Sequence, residues 1–350
     1  MVYRVIQWAT GHAGYYGLRG IIGHPELELA GLIVHSEAKA GLDAGELCGL
    51  GPTGVLATTD IDAALRIDAD CVSYMATADT RILEAVDDLE RILGSSKNVV
   101  STSVVPLVYP PHVDKTITER LDAACQKGGV SCFTNGIDPG FANDFLPLAL
   151  TSVCERIDRV RVQEILNYAT YDQAEVLFET MGFGKPLDET PLLLMPGILT
   201  LAWGGCVEVI AAGLGAELDE IREVYERAPA ETSFDISTGH VAAGTAAGLR
   251  FELQGIVDGR PAIVVEHVTR LHDDVAPEWP HGAGYRIQID GEPRVRAEFD
   301  VEGSDGDENS GGLIVTAMRV LNAIPAVVEA EPGLLSVLDL PPVWGRGLLR

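Results

Sequence analysis

Three glycines spaced three residues apart stand near the N-terminus, at Gly11, Gly14 and Gly17. They follow an apolar run over residues 2–8 and precede residues 18–22, which continue at helical period. This order predicts a strand, a tight turn and the start of a helix. Glycine lets the backbone approach a ligand closely, and the first turn of a helix presents N–H groups to a phosphate. We therefore predict a dinucleotide site at this turn. The residues predicted to form it are Gly11, His12, Ala13 and Gly14.

The spacing of this glycine motif differs from the commoner G-x-G-x-x-G, and glycines also occur in ordinary turns. Its context favours the dinucleotide interpretation. The motif follows the first apolar run of the chain, and a second apolar run, Leu27 to Val34, lies at the distance expected of a strand–helix–strand unit. This arrangement is typical of the first crossover of a nucleotide-binding sheet.

The end of the second predicted strand bears on the choice of cofactor. Sites selective for NAD commonly carry a carboxylate there, whereas a basic residue nearby accommodates the 2′-phosphate of NADP. Here the strand is followed by His35 and Ser36, with Lys39 close by, and Glu37 is a counter-indication. These residues favour NADP, or the use of both NADP and NAD, while His35 is equally consistent with a surface loop.

Strands alternate with helices up to residue 135, which predicts a doubly wound parallel sheet in an α/β first domain. Ligands of such sheets lie at the carboxyl ends of the strands. Small or polar side chains follow three of the later strands, at Thr77, at Ser101 and Thr102, and at Asn135. We expect these residues to line the cofactor site.

The pattern changes after residue 151 to a long alternating strand, a helix over residues 171–181, a largely helical region over residues 186–227, and several further strands. Asp258-Gly259 and Asp290-Gly291 are typical of hairpin turns, so we predict a mixed or antiparallel sheet in a second, α+β domain. The expected domains are residues 1–135, residues 136–310, and a C-terminal helix and tail over residues 311–350 that return to the first domain.

Composition excludes some partners. A net charge of -27 on 350 residues repels nucleic acid and anionic membranes, so we expect neither as a partner. The six cysteines are scattered without a C-x-x-C pair, so we expect no disulfide and no metal site, and a location in the reducing cytoplasm. Residues 191–215 are apolar enough to cross a bilayer, but their prolines and glycines favour broken helices packed inside a protein.

Five motifs spread along the chain are informative when they are taken together. They are Val34-His35, Lys39-Ala-Gly41-Leu-Asp43-Ala-Gly45-Glu46-Leu47-Cys-Gly49, Gly136-Ile-Asp-Pro139-Gly140-Phe141, Met181-Gly-Phe-Gly184 and Asn322-Ala-Ile-Pro325. Together they resemble the native amine dehydrogenase and 2,4-diaminopentanoate dehydrogenase family over nearly the whole chain. The first domain is also similar to that of dihydrodipicolinate reductase, but the chain lacks that enzyme's paired histidines and its K-x-D-A-P-S-G-T-A element.

The resemblance implies a Rossmann-type first domain, a second domain that carries the interface of a homodimer, and a nicotinamide-dependent reaction. That reaction interconverts a small, largely apolar amine with a ketone and ammonia. Tyr168 and Tyr171 correspond to positions that line the pocket in this family, where a tyrosine hydroxyl can act as a general acid. Alternatively, both are core aromatics whose hydroxyls bond to the backbone.

The chain departs from the family in one loop. The family carries a glutamate there that binds ammonia or the iminium, whereas this chain has Val104 and Val105. A valine neither binds a cation nor transfers a proton. Glu164 and Glu266 are the carboxylates that could replace the missing acid. Otherwise the chain reduces a carbonyl or a preformed imine without incorporating ammonia, or it binds the cofactor as a sensor without turnover.

Overall fold

The computed structural model describes residues 1–78, 80–282 and 284–349. The chain divides into two units, one made of Met1–Phe141 with Leu313–Arg350 and the other of Ala142–Gly312. The first unit thus combines the N-terminal segment with the C-terminal one, and the second unit is a continuous insertion between them.

The first unit is built on a seven-stranded sheet in which all pairings are parallel. Its strands, numbered in chain order, are β1 (Tyr3–Trp8), β2 (Leu27–Ile33), β3 (Ala57–Thr58), β4 (Cys71–Tyr74), β5 (Asn98–Ser101), β6 (Ser131–Thr134) and β15 (Gly333–Leu335). Their order in the sheet is β15-β6-β5-β4-β1-β2-β3. The predicted doubly wound parallel sheet is confirmed, and the two edge strands β3 and β15 are additions to it.

The helices follow the expected alternation. They are α1 (His12–Gly23), α2 (Ala44–Leu47), α3 (Ile61–Leu65), α4 (Ile82–Gly94), α5 (Lys115–Gly128), α6 (Phe145–Thr151), α7 (Ile198–Leu214), α8 (Glu308–Leu321) and α9 (Ile324–Glu329). Helix α4 shows why they form, because its buried residues recur at helical spacing while its other face is charged.

Helix α5 begins later than expected. Pro110 and Pro111 favour a helix start at Pro110, because proline tolerates the first helical turn, but Pro110–His112 form a separate 3₁₀ turn and α5 starts at Lys115. The Asp114 side chain accepts a hydrogen bond from the Thr116 N–H at 2.8 Å, and this cap fixes the start of the helix. Its end is set by Gly129, whose φ of +66° lies in the left-handed region.

Burial explains the apolar composition of two helical segments. The segment Glu308–Glu329 is long enough to cross a membrane, and an 18-residue stretch within it has a mean hydropathy of 1.6. In the first unit, however, Ala317, Val320 and Leu321 of α8 and Ile324 of α9 are fully buried in one cluster with residues of the parallel sheet. The other segment, predicted as broken helices inside the protein, contains the 17-residue helix α7, which has eight buried residues.

The second unit is built on a six-stranded sheet of order β14-β13-β7-β12-β11-β8, with a separate two-stranded ribbon. The strands are β7 (Arg156–Asn167), β8 (Glu220–Pro229), β11 (Ala246–Val257), β12 (Arg260–Arg270), β13 (Gly284–Glu292) and β14 (Val295–Phe299), and the ribbon is β9 (Phe234–Ile236) with β10 (Gly239–Val241). All pairings in the large sheet are antiparallel except β7 with β12. The predicted mixed sheet is confirmed.

Three local predictions in this unit are wrong. Residues 220–229 form strand β8 rather than helix, because pairing with β11 overrides their local preference. Residues 171–181 contain a single π-helical turn, Glu175–Thr180, instead of a full helix. Asp290-Gly291 lies inside β13, where the register shifts, and Gly291 allows the backbone of Arg156 to come close. The hairpin turn at Asp258-Gly259 is confirmed.

All six cysteines are free, and all but Cys154 are buried. Burial raises the pKa of the Cys125 thiol to about 12, and it raises the pKa of Cys48 and Cys71 as well. These thiols are therefore protonated at neutral pH, which makes them inert core residues.

Candidate functional site

The glycine turn lies where the order of the parallel sheet reverses. From β1 the chain adds β2 and β3 on one side, and then returns to place β4 on the other side. Ligands of doubly wound sheets bind in the crevice at such a switch point, outside the carboxyl ends of the strands. Helix α1 starts directly after β1, so its N-terminus stands at this crevice.

The three glycines of the turn have different structural roles. A Cβ on Gly14 would lie 2.5 Å from the Ala9 carbonyl oxygen, and one on Gly17 would lie 2.5 Å from the Met75 sulfur. Both glycines are thus required for the close packing of α1 on β1 and on the residue after β4. Gly11 is exposed, and a Cβ there would meet nothing within 4 Å. Gly11 is therefore the position that leaves space for a ligand.

Anion-binding groups surround this space. The first hydrogen bond of α1 runs from the Tyr15 N–H to the Gly11 carbonyl at 2.7 Å, and the three preceding N–H groups, of His12, Ala13 and Gly14, find no acceptor among the described residues. The Lys39 ammonium lies 2.9 Å from Thr10 Oγ1 and 3.2 Å from the Thr10 carbonyl. The helix N–H groups can donate to a diphosphate at the turn, and the Lys39 ammonium is a cation close to them.

The remaining predicted cofactor residues differ in how accessible they are. His35 and Ser36 are exposed after β2, and His35 Nε2 accepts a hydrogen bond from the Trp8 indole at 3.3 Å. Thr77 is exposed in the loop after β4, and Thr102 is partly exposed after β5. These four residues, as predicted from the sequence, lie past the carboxyl ends of parallel strands.

Ser101 and Asn135 stand at strand ends too, but their side chains are engaged inside the first unit. Ser101 is fully buried, and its hydroxyl accepts a hydrogen bond from the Ser103 N–H at 2.9 Å. Asn135 is 2% exposed, and its Oδ1 accepts a hydrogen bond from Arg319 Nε of α8 at 3.1 Å. Their side chains therefore shape the loops beside the crevice.

The loop that carries the family's glutamate is apolar in this chain. Val104 is 2% exposed and packs in the same core cluster as Leu107, and its φ of +54° is unusual for a β-branched residue. Val105 is partly buried and opens a 3₁₀ turn. This loop supplies neither a carboxylate nor a proton carrier.

A second polar feature lies in the second unit, on one face of the six-stranded sheet. The pairing places Tyr285 of β13 opposite Glu164 of β7, Glu164 opposite His267 of β12, and His267 opposite Phe251 of β11. These four residues form one row, which we call the Glu164 row. Trp203 of α7 packs against this row, with its ring centroid 4.8 Å from that of His267 and 5.0 Å from that of Phe251.

Glu164 is 5% exposed and is held by phenolic hydroxyls. Tyr168 donates to its Oε1 at 3.0 Å and Tyr285 donates to its Oε2 at 3.0 Å, while His267 Nδ1 lies 3.5 Å from Oε1. Tyr171 stacks on Tyr168 with ring centroids 4.8 Å apart, and its hydroxyl accepts from the Gln173 amide at 2.5 Å. The two predicted tyrosines thus lie together, and Tyr168 bonds to a carboxylate rather than to backbone.

Glu266, the other candidate carboxylate, occupies the opposite face of the sheet. It is fully buried, accepts a hydrogen bond from Arg250 Nε at 2.8 Å and forms an ion pair with Arg161. On the same face, burial raises the pKa of Glu252, but hydrogen bonds from Arg161 and Gln254 outweigh this effect, so the pKa lies below its usual value. The arginines neutralise these acids, which fits a structural role.

Sequence analysis named Glu164 as a candidate carboxylate but did not connect it with Tyr285 or His267. The connection depends on which strands pair and in which register. No local pattern reveals that β13 and β12 both lie beside β7, because β7 comes about one hundred residues earlier in the chain.

We predict that Gly11→Ala weakens nucleotide binding without harming the fold. The added methyl group meets no protein atom within 4 Å but enters the space beside the helix N–H groups. Loss of one charge-assisted hydrogen bond corresponds to an increase in Kd of about tenfold or more. Calorimetric titration with NADPH, together with a thermal melt, would measure both properties.

Gly23→Ala is the matched control, because Gly23 is in the same helix and also has nothing within 4 Å. Its Kd should equal that of the wild-type chain. Equal Kd values for both variants would place the nucleotide elsewhere.

Comparisons with known proteins support the interpretation of both units. The family model of the 2,4-diaminopentanoate dehydrogenase C-terminal domain matches residues 141–345. An amine dehydrogenase of Streptomyces virginiae is 43% identical over 97% of each chain. A solved amine dehydrogenase of Mycobacterium smegmatis has the same fold, with a TM-score of 0.78, 20% identity, and coverage of 98% of this chain and 97% of that one.

A scyllo-inositol dehydrogenase of Lactobacillus casei, solved with bound NAD(H) and scyllo-inositol, has a TM-score of 0.57 at 14% identity and covers 93% of this chain and 89% of its own. That structure shares the fold alone. The family-model match covers more than half of the chain, and the Streptomyces relative is similar along nearly its whole length. The chain therefore belongs to the amine dehydrogenase and 2,4-diaminopentanoate dehydrogenase family.

Proposed function

We propose that this chain is an NAD(P)-dependent amine dehydrogenase that interconverts a small, largely apolar amine with the corresponding ketone and ammonia. The single observation that carries the proposal is the 43% identity, over 97% of each chain, to the amine dehydrogenase of Streptomyces virginiae. Membership of this family makes the chain a nicotinamide-dependent oxidoreductase. The bound nicotinamide carries the hydride.

The residues present fit such a cofactor. Gly11 leaves open space at the switch point, the first N–H groups of α1 can donate hydrogen bonds to phosphate oxygens, and Lys39 adds a positive charge beside the turn. In a chain with a net charge of -27, this local arrangement is what allows an anionic nucleotide to bind.

The reaction can be tested by product analysis with a panel of small ketones, NADPH or NADH, and ammonium. We expect amine to form when ammonium is present, and little consumption of reduced cofactor when it is absent. Formation of an alcohol, with or without ammonium, would instead support a carbonyl reductase, which the apolar Val104–Val105 loop favours. Cofactor binding without any ketone-dependent oxidation would support a sensor.

We propose further that NADP is preferred over NAD. The residues after β2 are Val34, His35 and Ser36 rather than an acid, and the Lys39 ammonium is close to the turn. Lys39→Met should raise the Kd for NADPH about tenfold and leave the Kd for NADH within about threefold, because only NADPH carries the additional phosphate. Parallel titrations of the wild-type chain and the variant with NADPH and with NADH measure these Kd values.

Exposed Lys115 at the start of α5 provides the control, and Lys115→Met should change neither Kd. An equal loss of affinity for the two cofactors in Lys39→Met would assign this lysine to the shared diphosphate and would contradict the proposed preference.

We also propose a homodimer formed through the charged face of the six-stranded sheet, opposite the Glu164 row. Support comes from this face itself, which carries the Arg161, Arg250, Glu252 and Glu266 ion pairs and the exposed apolar Val224. Sedimentation should give twice the chain mass of 37.3 kDa. Val224→Glu should weaken the dimer, whereas Leu201→Glu, at an exposed position on α7, should not. A wild-type monomer would refute the proposal.

A further inference from the structure

We propose that Glu164 binds the ammonium or iminium nitrogen of the substrate and so replaces the glutamate that the Val104–Val105 loop lacks. This inference rests on the proposed amine dehydrogenase function and assigns it a catalytic residue. It concerns the Glu164 row, where Glu164, Tyr285 and His267 lie side by side on three adjacent strands.

No described arginine or lysine forms an ion pair with the carboxylate of Glu164. Among the described residues its partners are the hydroxyls of Tyr168 and Tyr285 and, at 3.5 Å, the Nδ1 atom of His267. A buried anion without a countercharge is costly, so a substrate cation beside it would lower the free energy of the complex.

The nearest basic group to Glu164 is the imidazole of His267, at 3.5 Å, and an imidazole does not carry the permanent charge of a guanidinium. Glu266 offers the contrast, since Arg250 and Arg161 occupy it permanently. Of the two acids considered from the sequence, only Glu164 is therefore suited to hold an exchangeable cation.

The surroundings of Glu164 also suit an alkylamine. Trp203, Tyr168 and Tyr171 are only partly buried, so this face of the second unit is not sealed by its own residues. The ring of His267 stacks on Phe251 at a centroid distance of 4.5 Å, and Trp203 meets both rings. Aromatic walls accept apolar substituents and favour a nearby cation.

The proposed chemistry balances as follows. The Glu164 carboxylate would take one proton from the substrate ammonium. A nicotinamide cofactor, when bound, would supply the acceptor for the hydride of the C–H bond, and the nitrogen lone pair would then form the C=N bond of an iminium. Water then adds to the carbon, the C–N bond breaks, and ammonia leaves with the ketone as the product. In sum, R₂CH–NH₃⁺, NAD(P)⁺ and H₂O give R₂C=O, NH₄⁺, NAD(P)H and H⁺.

The direct test is binding of sec-butylammonium and of its neutral analogue 2-butanol to the NADPH-loaded chain, in which amine oxidation cannot proceed. The wild-type chain should bind the cation at least tenfold more tightly than the alcohol. Glu164→Gln keeps the shape of the side chain and removes its charge, so it should abolish this difference. An unchanged preference for the cation in Glu164→Gln would overturn the proposal.

Glu90→Gln is the control, because Glu90 is an acid of helix α4 outside the proposed sites and its loss still leaves Asp87 beside Arg120. This variant should retain the wild-type preference for the cation. In kinetics, Glu164→Gln should raise the KM for ammonium and reduce kcat/KM about 100-fold, with an unchanged Kd for NADPH.

If Glu164→Gln does not fold, Tyr285→Phe takes its place, since it removes one hydrogen bond to the carboxylate and should lower the cation preference several-fold. A Tyr285→Phe chain with wild-type preference and ammonium KM would count against the proposal. The proposed function and the proposed role of Glu164 can fail separately. If the wild-type chain forms no amine, the function is refuted. If the Glu164→Gln variant forms amine as well as the wild-type chain does, only the role of Glu164 is refuted.

Discussion

The parallel pairing of β7 with β12 is the constraint on which the second unit depends. It sets Glu164 beside His267 and, one residue earlier, Gln163 beside Glu266. Because successive side chains of a strand point to opposite faces, this register separates two kinds of carboxylate. One face collects acids that arginines neutralise, and the other carries Glu164 among aromatic rings. A register shift by one residue would exchange these surroundings and leave a buried arginine cluster beneath α7.

The first unit depends in a similar way on a close approach of backbone. Helix α1 can start directly at the switch point because Gly14 and Gly17 let it pack on Ala9 and Met75. The buried Gln7 supports the turn, since its amide donates to the Ala9 carbonyl at 3.0 Å. The glycines that fix this geometry are thus distinct from Gly11, which faces open space. A motif of equally spaced glycines therefore contains packing positions and a binding position.

Much of the first unit could be predicted from the sequence, because its signals are local. Three local signals suffice to define a parallel sheet and the ends of its strands. They are apolar runs, helix-capping aspartates such as Asp60, and the alternation of strands with helices along the chain. The engaged side chains of Ser101 and Asn135 could not be predicted, since they depend on the turn after β5 and on Arg319, 184 residues away. In the second unit, β8 was misassigned because its sheet partner, not its own sequence, decides its conformation.

The same dependence on distant partners explains why the missing acid was visible in the sequence but its replacement was not. Val104 is buried in the core with a left-handed backbone, so a glutamate placed there would bring a carboxylate into an apolar cluster unless the loop changed its course. Restoring the acid would therefore require rebuilding the loop as well as changing a side chain. A carboxylate on a rigid central strand needs no such change, because Tyr285 and His267 of the neighbouring strands already define its position.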